Sequence, residues 1–390
     1  MKKKILFVTT ALWVGGIESA LVNLLKRLDY DAFDITLLVL KAELNLLPQV
    51  DPRCRVLIAD RDQTHSFSQP YRHSRLYHTI EAPSQPSLRH RLLDWTIPLL
   101  RWVENRQYIR YIRACMQGQA FDTVVIYSDA AGELAVKAIE SKRFILFYHH
   151  GVMRHAYHDR TAWRRCDAVA AVSEHQAESL RSFMPRWREK ITVIRNLADV
   201  EGVRRRAEEP LPRPFEPDCF HIVSVGRISP EKGMDLAVSA CELLVCQGFS
   251  QIRWWIVGGG LSLAPLREQI RQARLEDYVR TVGMVENPYP YIRGADLYVQ
   301  PSRFEGYPMT LLEALSLGKP VISTQNPGAK EILAGREAGL LCPISPEGLA
   351  ERIDALLRHP EALEALRVKA QAVDLDPENR QILDRFQALL

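Results

Sequence analysis

Glu305-Gly306-Tyr307-Pro308-Met309-Thr310-Leu311-Leu312-Glu313 is the stretch on which the organisation of this chain turns. Met309, Leu311, Leu312, Ala314 and Leu315 form a strong helix former, Pro308 suits a first helical position, and Gly306 tolerates backbone that other residues resist. The spacing therefore predicts Glu305 in a loop and Glu313 on the helix that follows. The first turn of a helix has no internal acceptors, so an anion drawn to Gly306, Tyr307, Pro308, Met309 and Thr310 meets free backbone N–H groups. A diphosphate fits there, with Glu305 accepting from a sugar hydroxyl on one side and Glu313 from a ribose hydroxyl on the other. The plainer alternative is a helix whose dipole favours an acid near its start and which carries a second, exposed Glu. Neighbouring segments decide between them.

Gly226-Arg227-Ile228-Ser229-Pro230-Glu231-Lys232-Gly233 follows the apolar run Phe220 to Val225, which reads as a buried strand ending in a glycine turn. Arg227 and Lys232 then sit on a tight loop at a strand's carboxyl end, where open α/β sheets bind ligands. Two fixed cations there would neutralise a diphosphate leaving group without a metal; the alternative is a solvated basic loop. Trp254 to Val257 is a further strand and ends in Gly258-Gly259-Gly260, which let backbone approach a ligand.

With Val282-Gly283-Met284-Val285, these segments occur in the order seen in the retaining glycosyltransferases of family four, also called group one, which have the GT-B fold. The chain resembles that family over nearly its whole length. Gly15-Gly16-Ile17-Glu18, after the strand Ile5 to Thr9, is similar to the family's opening glycine loop near the donor phosphates and the acceptor. Val172-Ser173-Glu174 and Ile194-Arg195-Asn196 resemble its last N-domain strands.

Length and composition agree. A chain of 390 residues makes about two domains, and 47% hydrophobic with 25% charged residues is the balance of a globular protein. Met1-Lys2-Lys3-Lys4 before Ile5-Leu6-Phe7-Val8 is similar to a signal peptide, but it runs into the glycine loop without a small-residue cleavage site and is read as the first strand. No run of about 18 apolar residues suggests a membrane span. Seven scattered cysteines without a Cys-x-x-Cys pair point to a reducing cytosol and no structural zinc; Cys241 and Cys246 fall on a predicted helix.

Apolar runs alternate with helical patterns, which argues for an α/β protein with parallel sheets. Strands are predicted near Ile5–Thr9, Ile35–Leu40, Val56–Ala59, Thr123–Tyr127, Phe144–Tyr148, Ala168–Val172 and Thr192–Ile194. The second set is Phe220–Val225, Trp254–Val257, Arg280–Val282, Leu297–Gln300, Val321–Ser323 and Gly339–Leu341. Between the sets, Arg204-Arg205-Arg206 and Pro210, Pro212, Pro214 and Pro217 read as a linker. The expected organisation is an acceptor-side Rossmann-like domain over 1–198, a linker over 199–217 and a nucleotide-sugar-binding Rossmann-like domain over 218–373. A last helix over 374–390 crosses back, as the resemblance implies, and the sheets face a central cleft.

Residues 1–200 hold 29 Lys and Arg against 21 Asp and Glu, net +8, and residues 201–390 hold 22 against 26, net −4. The excess gathers between Arg61 and Arg113, nine arginines against four acids, interleaved with Tyr71, Tyr77, Trp95, Trp102, Tyr108 and Tyr111. Such a tract either rests on anionic lipid headgroups or is a solvated face with core aromatics. No nucleic-acid module accompanies it, so nucleic acid is not an expected partner. Of the Asp-x-Asp strings, Asp29 with Asp31 and Asp374 with Asp376 read as turns. Asp60 and Asp62 follow a strand, yet Arg227 and Lys232 already supply the charge a metal would bring, so no metal is expected. Tyr148-His149-His150-Gly151 leaves a strand at the sheet rim, and since adjacent residues point to opposite sides only one imidazole faces the cleft. By position against the resembled family that is His150. His155 and His158 lack the cysteine partners or spacing of a zinc site.

The reading is a retaining, metal-independent glycosyltransferase of hexosyltransferase type. It takes a nucleoside diphosphate sugar as co-substrate, UDP-sugar favoured over GDP-sugar, and no other cofactor. The acceptor is a hydroxyl of a glycan or lipid-linked molecule in envelope polysaccharide synthesis, and the enzyme works in the cytoplasm, peripheral on the inner face of the membrane. Glu305, His150, Arg227 and Lys232 are the expected catalytic residues. The expected donor-binding residues are Gly15, Gly16, Gly226, Arg227, Lys232, Gly258, Gly259, Met284, Val285, Glu305, Gly306, Tyr307, Pro308, Met309, Thr310 and Glu313. Alternatives are a non-catalytic nucleotide-sugar-binding or assembly partner, a sugar nucleotide epimerase of the same fold, and a dinucleotide-dependent oxidoreductase, for which the spaced glycine fingerprint is missing.

Overall fold

The computed structural model describes residues 2–60, 105–149 and 160–390. Two parallel sheets account for the thirteen strands among the described residues. The first contains β1 (Lys3–Thr9), β2 (Phe33–Val39), β3 (Arg55–Ile58), β4 (Phe121–Ile126), β5 (Ser141–Tyr148), β6 (Ala168–Ala171) and β7 (Ile191–Val193), in the order β3-β2-β1-β4-β5-β6-β7. The second contains β8 (Phe220–Val225), β9 (Ile252–Val257), β10 (Val279–Gly283), β11 (Leu297–Gln300), β12 (Val321–Thr324) and β13 (Gly339–Cys342), in the order β10-β9-β8-β11-β12-β13. Each is an open α/β sheet whose strand order reverses between its first and fourth strands, β1 with β4 and β8 with β11. The crevice at the carboxyl ends of those strands is where such sheets hold ligands.

Strand positions match the sequence reading with ends shifted by up to three residues. The strands begin earlier than their apolar runs because the first residues, such as Lys3 and Lys4 or Ser141 to Arg143, pair in the sheet while reaching solvent. The central parts are buried on both faces, which is why they read as continuous apolar runs.

The proline-rich linker contains more structure than the sequence suggested. Val200–Ala207 is a helix capped by Asp199, whose carboxylate accepts the Gly202 N–H at 3.1 Å. Val200, Val203 and Ala207 face inward at helical spacing, while Arg204, Arg205 and Arg206 occupy the last turn, where the macrodipole favours cations. The terminal helix Asp376–Gln387 lies on the first sheet. The Phe386 ring sits 6.1 Å from Phe7 and 5.8 Å from Phe147, and the Thr123 hydroxyl donates to the Leu390 carbonyl at 3.0 Å. One apolar cluster runs from Ile5 and Phe7 through Tyr307 and Met309 to Phe386, so both domains share it. No helix among the described residues is long and apolar enough to cross a membrane.

Of the arginine-rich tract, residues 61–104 lie outside the described residues. The helix over 105–116 exposes Arg106, Arg110 and Arg113, while Tyr108 is buried and its hydroxyl donates to the Leu40 and Ala59 carbonyls at 2.9 and 2.7 Å. Tyr111 stacks on Tyr108. Tyr108 belongs to the core, its body on the sheet flank and its hydroxyl on two strand-end carbonyls, and Tyr111 is partly buried against the same cluster.

Candidate active site

The loop after β8 and the loop after β11 are joined by backbone. Glu231 carbonyl accepts the N–H groups of Arg303 and Phe304 at 2.9 and 3.2 Å. That pairing brings Lys232, at the end of the turn Pro230–Lys232, onto Glu305: the ammonium donates to both carboxylate oxygens at 2.7 Å. Glu305 is buried, and its Oε1 also accepts from Ser302 Oγ at 2.7 Å and Gln300 Nε2 at 3.0 Å. Gln300 is fully used: its carbonyl oxygen takes the Tyr298 hydroxyl at 2.7 Å and the Thr310 hydroxyl at 2.9 Å, and its amide also donates to Ser302 Oγ at 2.7 Å. One cation and two neutral donors thus hold the Glu305 carboxylate in place. The sequence reading gave Lys232 and Glu305 separate duties; the structure makes them one ion pair. Gln300, Ser302 and Tyr298 were missed. Their signal was a glutamine closing an otherwise apolar strand.

Pro308 is not the first helical residue. Its φ of −70° and ψ of 110° make it the N-cap of the helix Met309–Ser316, and no side chain caps that end. The ring fixes φ but leaves ψ free, so Pro308 stops one residue short of the helix. The first turn follows directly on the Glu305 loop, and its Thr310 shares Gln300 with Glu305. Gly306 faces the other domain: a Cβ there would lie 3.2 Å from the His149 carbonyl oxygen and 3.5 Å from Val172. Tyr307 points away from the opening, buried, with its hydroxyl donating to Glu378 at 3.2 Å.

Glu313 lies one turn further along, 7% exposed, with the Tyr289 hydroxyl 3.1 Å from its Oε1. Burial pushes its carboxyl up to about 7, against the pull of the Tyr289 hydrogen bond and the Arg206 charge. Arg206 stacks over the Tyr289 ring and donates to the Glu286 carbonyl at 2.9 Å, so the linker helix braces the segment that follows β10. In that segment Met284 is exposed and Val285 half-buried.

Arg227 is exposed on the loop after β8, and its charge reaches Glu18 in the N-terminal domain. Glu18 was not among the expected site residues. It is buried, accepts the Trp13 indole N–H at 2.8 Å, and burial raises its carboxyl above the usual range. Gly15 caps the helix Gly16–Arg27 directly over that carboxylate, and Gly16 faces Met309 across the domain junction. Gly226 half-faces the opening, but Gly258 has a structural reason to be glycine: at φ +149° a Cβ would lie 1.9 Å from the Gly226 carbonyl oxygen. Gly259 backs onto the Met284 side chain. The structure thus gathers Lys232, Glu305 and Gly306 to Thr310 at one helix end. Glu313 is buried one turn along the same helix. His149 stacks on Phe147 and lies tilted against Tyr127 at the end of β5. His150, His155, His158 and Asp62 lie outside the described residues. Asp29 and Asp374 each accept a backbone N–H two residues on, at 2.8 and 3.0 Å, as turn aspartates do.

A family model described as glycosyl transferases group 1 matches residues 208–373, and one described as glycosyltransferase family 4 matches residues 14–201. The amylovoran biosynthesis glycosyltransferase AmsK of Erwinia amylovora is 33% identical over 177 residues, 43% of this chain and 41% of that protein. The putative colanic acid biosynthesis glycosyltransferase WcaL of Escherichia coli is 32% identical over 241 residues, 58% of this chain and 57% of that protein. The matched part thus spans about half the length of these curated relatives. Among solved structures, Anabaena HepE in complex with UDP and glucose superposes with a TM-score of 0.70 at 18% identity over 99% of both chains. A Staphylococcus aureus TarM variant in complex with UDP and a glycan superposes with 0.74 at 14% identity, also over 99% of both. At such identities these two speak for the fold alone.

Proposed function

The chain belongs to the family-four, group-one glycosyltransferases and has their GT-B fold, and from that premise we propose that it moves a sugar from a nucleoside diphosphate to an acceptor hydroxyl with retention of configuration. The observation that carries this is the N-terminus of Met309–Ser316, which no side chain caps and which follows the loop where Glu305 pairs with Lys232. The diphosphate lies on the free N–H groups. Lys232 has three N–H donors and spends two on Glu305, which leaves one for a phosphate oxygen. Arg227 closes over the same group from the rim. As the bond from the anomeric carbon to the phosphate oxygen breaks, these donors stabilise the charge that develops on the leaving group. The leaving oxygen takes the acceptor's proton while the new carbon–oxygen bond forms on the same face. Glu305 orients the sugar and Glu313 the ribose, with Met284 and Val285 against the base.

UDP-sugar is the favoured donor, in keeping with the UDP held by the fold-mates HepE and TarM. No divalent metal is required. The acceptor is a glycan or lipid-linked hydroxyl in envelope polysaccharide assembly, a choice supported by the amylovoran, colanic acid and lipopolysaccharide core relatives. The exposed Arg106, Arg110 and Arg113 rest on anionic lipid. A thermal-shift panel of nucleoside diphosphates and sugar nucleotides in EDTA tests the reading, because a ligand that binds only the native state raises its melting temperature. UDP and UDP-sugars are expected to stabilise the protein. A flat response across the panel, or one that needs magnesium or manganese, refutes the donor assignment.

A further inference from the structure

The loop that carries Glu305 and Gly306 is tied to the N-terminal domain on two sides. On one side, Glu331 of the helix Pro327–Leu333 accepts the Glu174 backbone N–H at 2.8 Å and Arg195 Nε at 2.6 Å. The two side chains of the ion pair are 23% and 15% exposed, so solvent screens it only in part. The helix presenting Glu331 is seated on the site loop itself. A Cβ at Gly328 would lie 2.8 Å from the Gly306 carbonyl oxygen and 3.0 Å from that of Glu305, and the cap residue Asn326 donates to the Ser302 carbonyl at 3.3 Å. On the other side, Glu378 holds both the Tyr307 hydroxyl and Arg336. Glu378 belongs to the terminal helix that packs Phe386 on the first sheet. Both ties end on residues 305 to 307, and a Cβ on Gly306 between them would lie 3.2 Å from the His149 carbonyl oxygen.

We propose that Arg195 and Glu331 are a positioning pair for the transfer reaction, clamping the Glu305–Gly306 loop in register with the N-terminal domain when the two domains close. The inference rests on the glycosyl-transfer reading above. The proposed contacts to the nucleoside lie on the C-terminal domain, so loss of the pair leaves them in place. What it changes is the alignment of the donor half of the site with the acceptor half, which governs turnover.

The full chain carrying Arg195→Ala, Glu331→Ala or both is compared with the wild type in three measurements: turnover, UDP affinity by calorimetry, and radius of gyration by X-ray scattering without ligand. Each single variant is expected to lose about tenfold or more in kcat. The double variant should fall no lower than the worse single one, since both remove the same ion pair. UDP affinity should stay within twofold, and the radius of gyration should rise. Wild-type kcat in both single variants, additive losses in the double, a parallel fall in UDP affinity or an unchanged radius would each overturn the pair's role. The scattering needs neither ligand nor turnover, so it judges the clamp separately. A wild type that binds no nucleoside diphosphate sinks the transfer reading instead.

Discussion

Glu313 should give this protein a stability that declines as pH rises toward neutrality. Its carboxyl is pushed up to about 7 from an ordinary 4.5 by burial at 7% exposure. Between those values the native state keeps a proton that the unfolded chain has released, so stability falls with increasing pH. Each unit is worth about 1.4 kcal/mol, which over the window comes to roughly 3 kcal/mol, with no further loss from this group above about 7. Glu18, also raised by burial, works in the same direction, while the carboxylates lowered by ion pairs, such as Asp199 and Glu216, act below the ordinary range. The informative quantity is therefore the difference between wild type and Glu313→Gln. Urea unfolding from pH 4.5 to 8 should show the variant gaining about 3 kcal/mol on the wild type as pH rises. A ribose hydroxyl donating to Glu313 favours the ionised form, so UDP binding should expel a proton near pH 7 and tighten through that pH. Calorimetry in two buffers of different ionisation enthalpy reads that proton, with Glu313→Gln as the control for titration of the nucleotide itself. Parallel stability curves for the two proteins, or equal proton release in both, would refute the reasoning.

Lys232→Ala and Arg227→Ala should each lower kcat by about 10² or more, as loss of a transition-state charge partner does; wild-type turnover in either removes that residue from the leaving-group site. Gln300→Leu takes one donor from Glu305 and orphans the Tyr298 and Thr310 hydroxyls. Chemical denaturation should show about 2 kcal/mol of lost stability, with kcat down about tenfold and UDP affinity retained; unchanged kcat means that Glu305 is oriented without it. Sedimentation with anionic vesicles should be salt-sensitive and weakened in Arg106→Ala/Arg110→Ala, because exposed charges act only within a Debye length of about 8 Å at physiological salt. Absence of wild-type binding at low salt makes the tract a solvated face and favours a soluble acceptor.

How far the sequence could be read follows from the range of the interactions involved. Parallel strands buried on both faces announce themselves as unbroken apolar runs, so β8 and β9 were legible from their own residues, as were the glycine and charged loops that end them. The helix Val200–Ala207 was hidden by its arginines, because three consecutive cations outweigh the spacing of Val200, Val203 and Ala207 in any local reading. The pairing of Lys232 with Glu305 spans 73 residues of sequence, and it is brought about by the backbone bonds from Arg303 and Phe304 to Glu231 together with the Arg303 side chain on the Pro230 carbonyl and Asp235. Gln300 is the sharper case. A polar residue at a strand end normally marks the approach to solvent, yet here it is buried because Tyr298, Ser302, Thr310 and Glu305 together use all of its hydrogen-bonding groups. A buried amide is stable only when every partner is present at once. Motifs therefore mark the candidate site residues, while the residues that hold those motifs in place emerge only when distant parts of the chain are brought together.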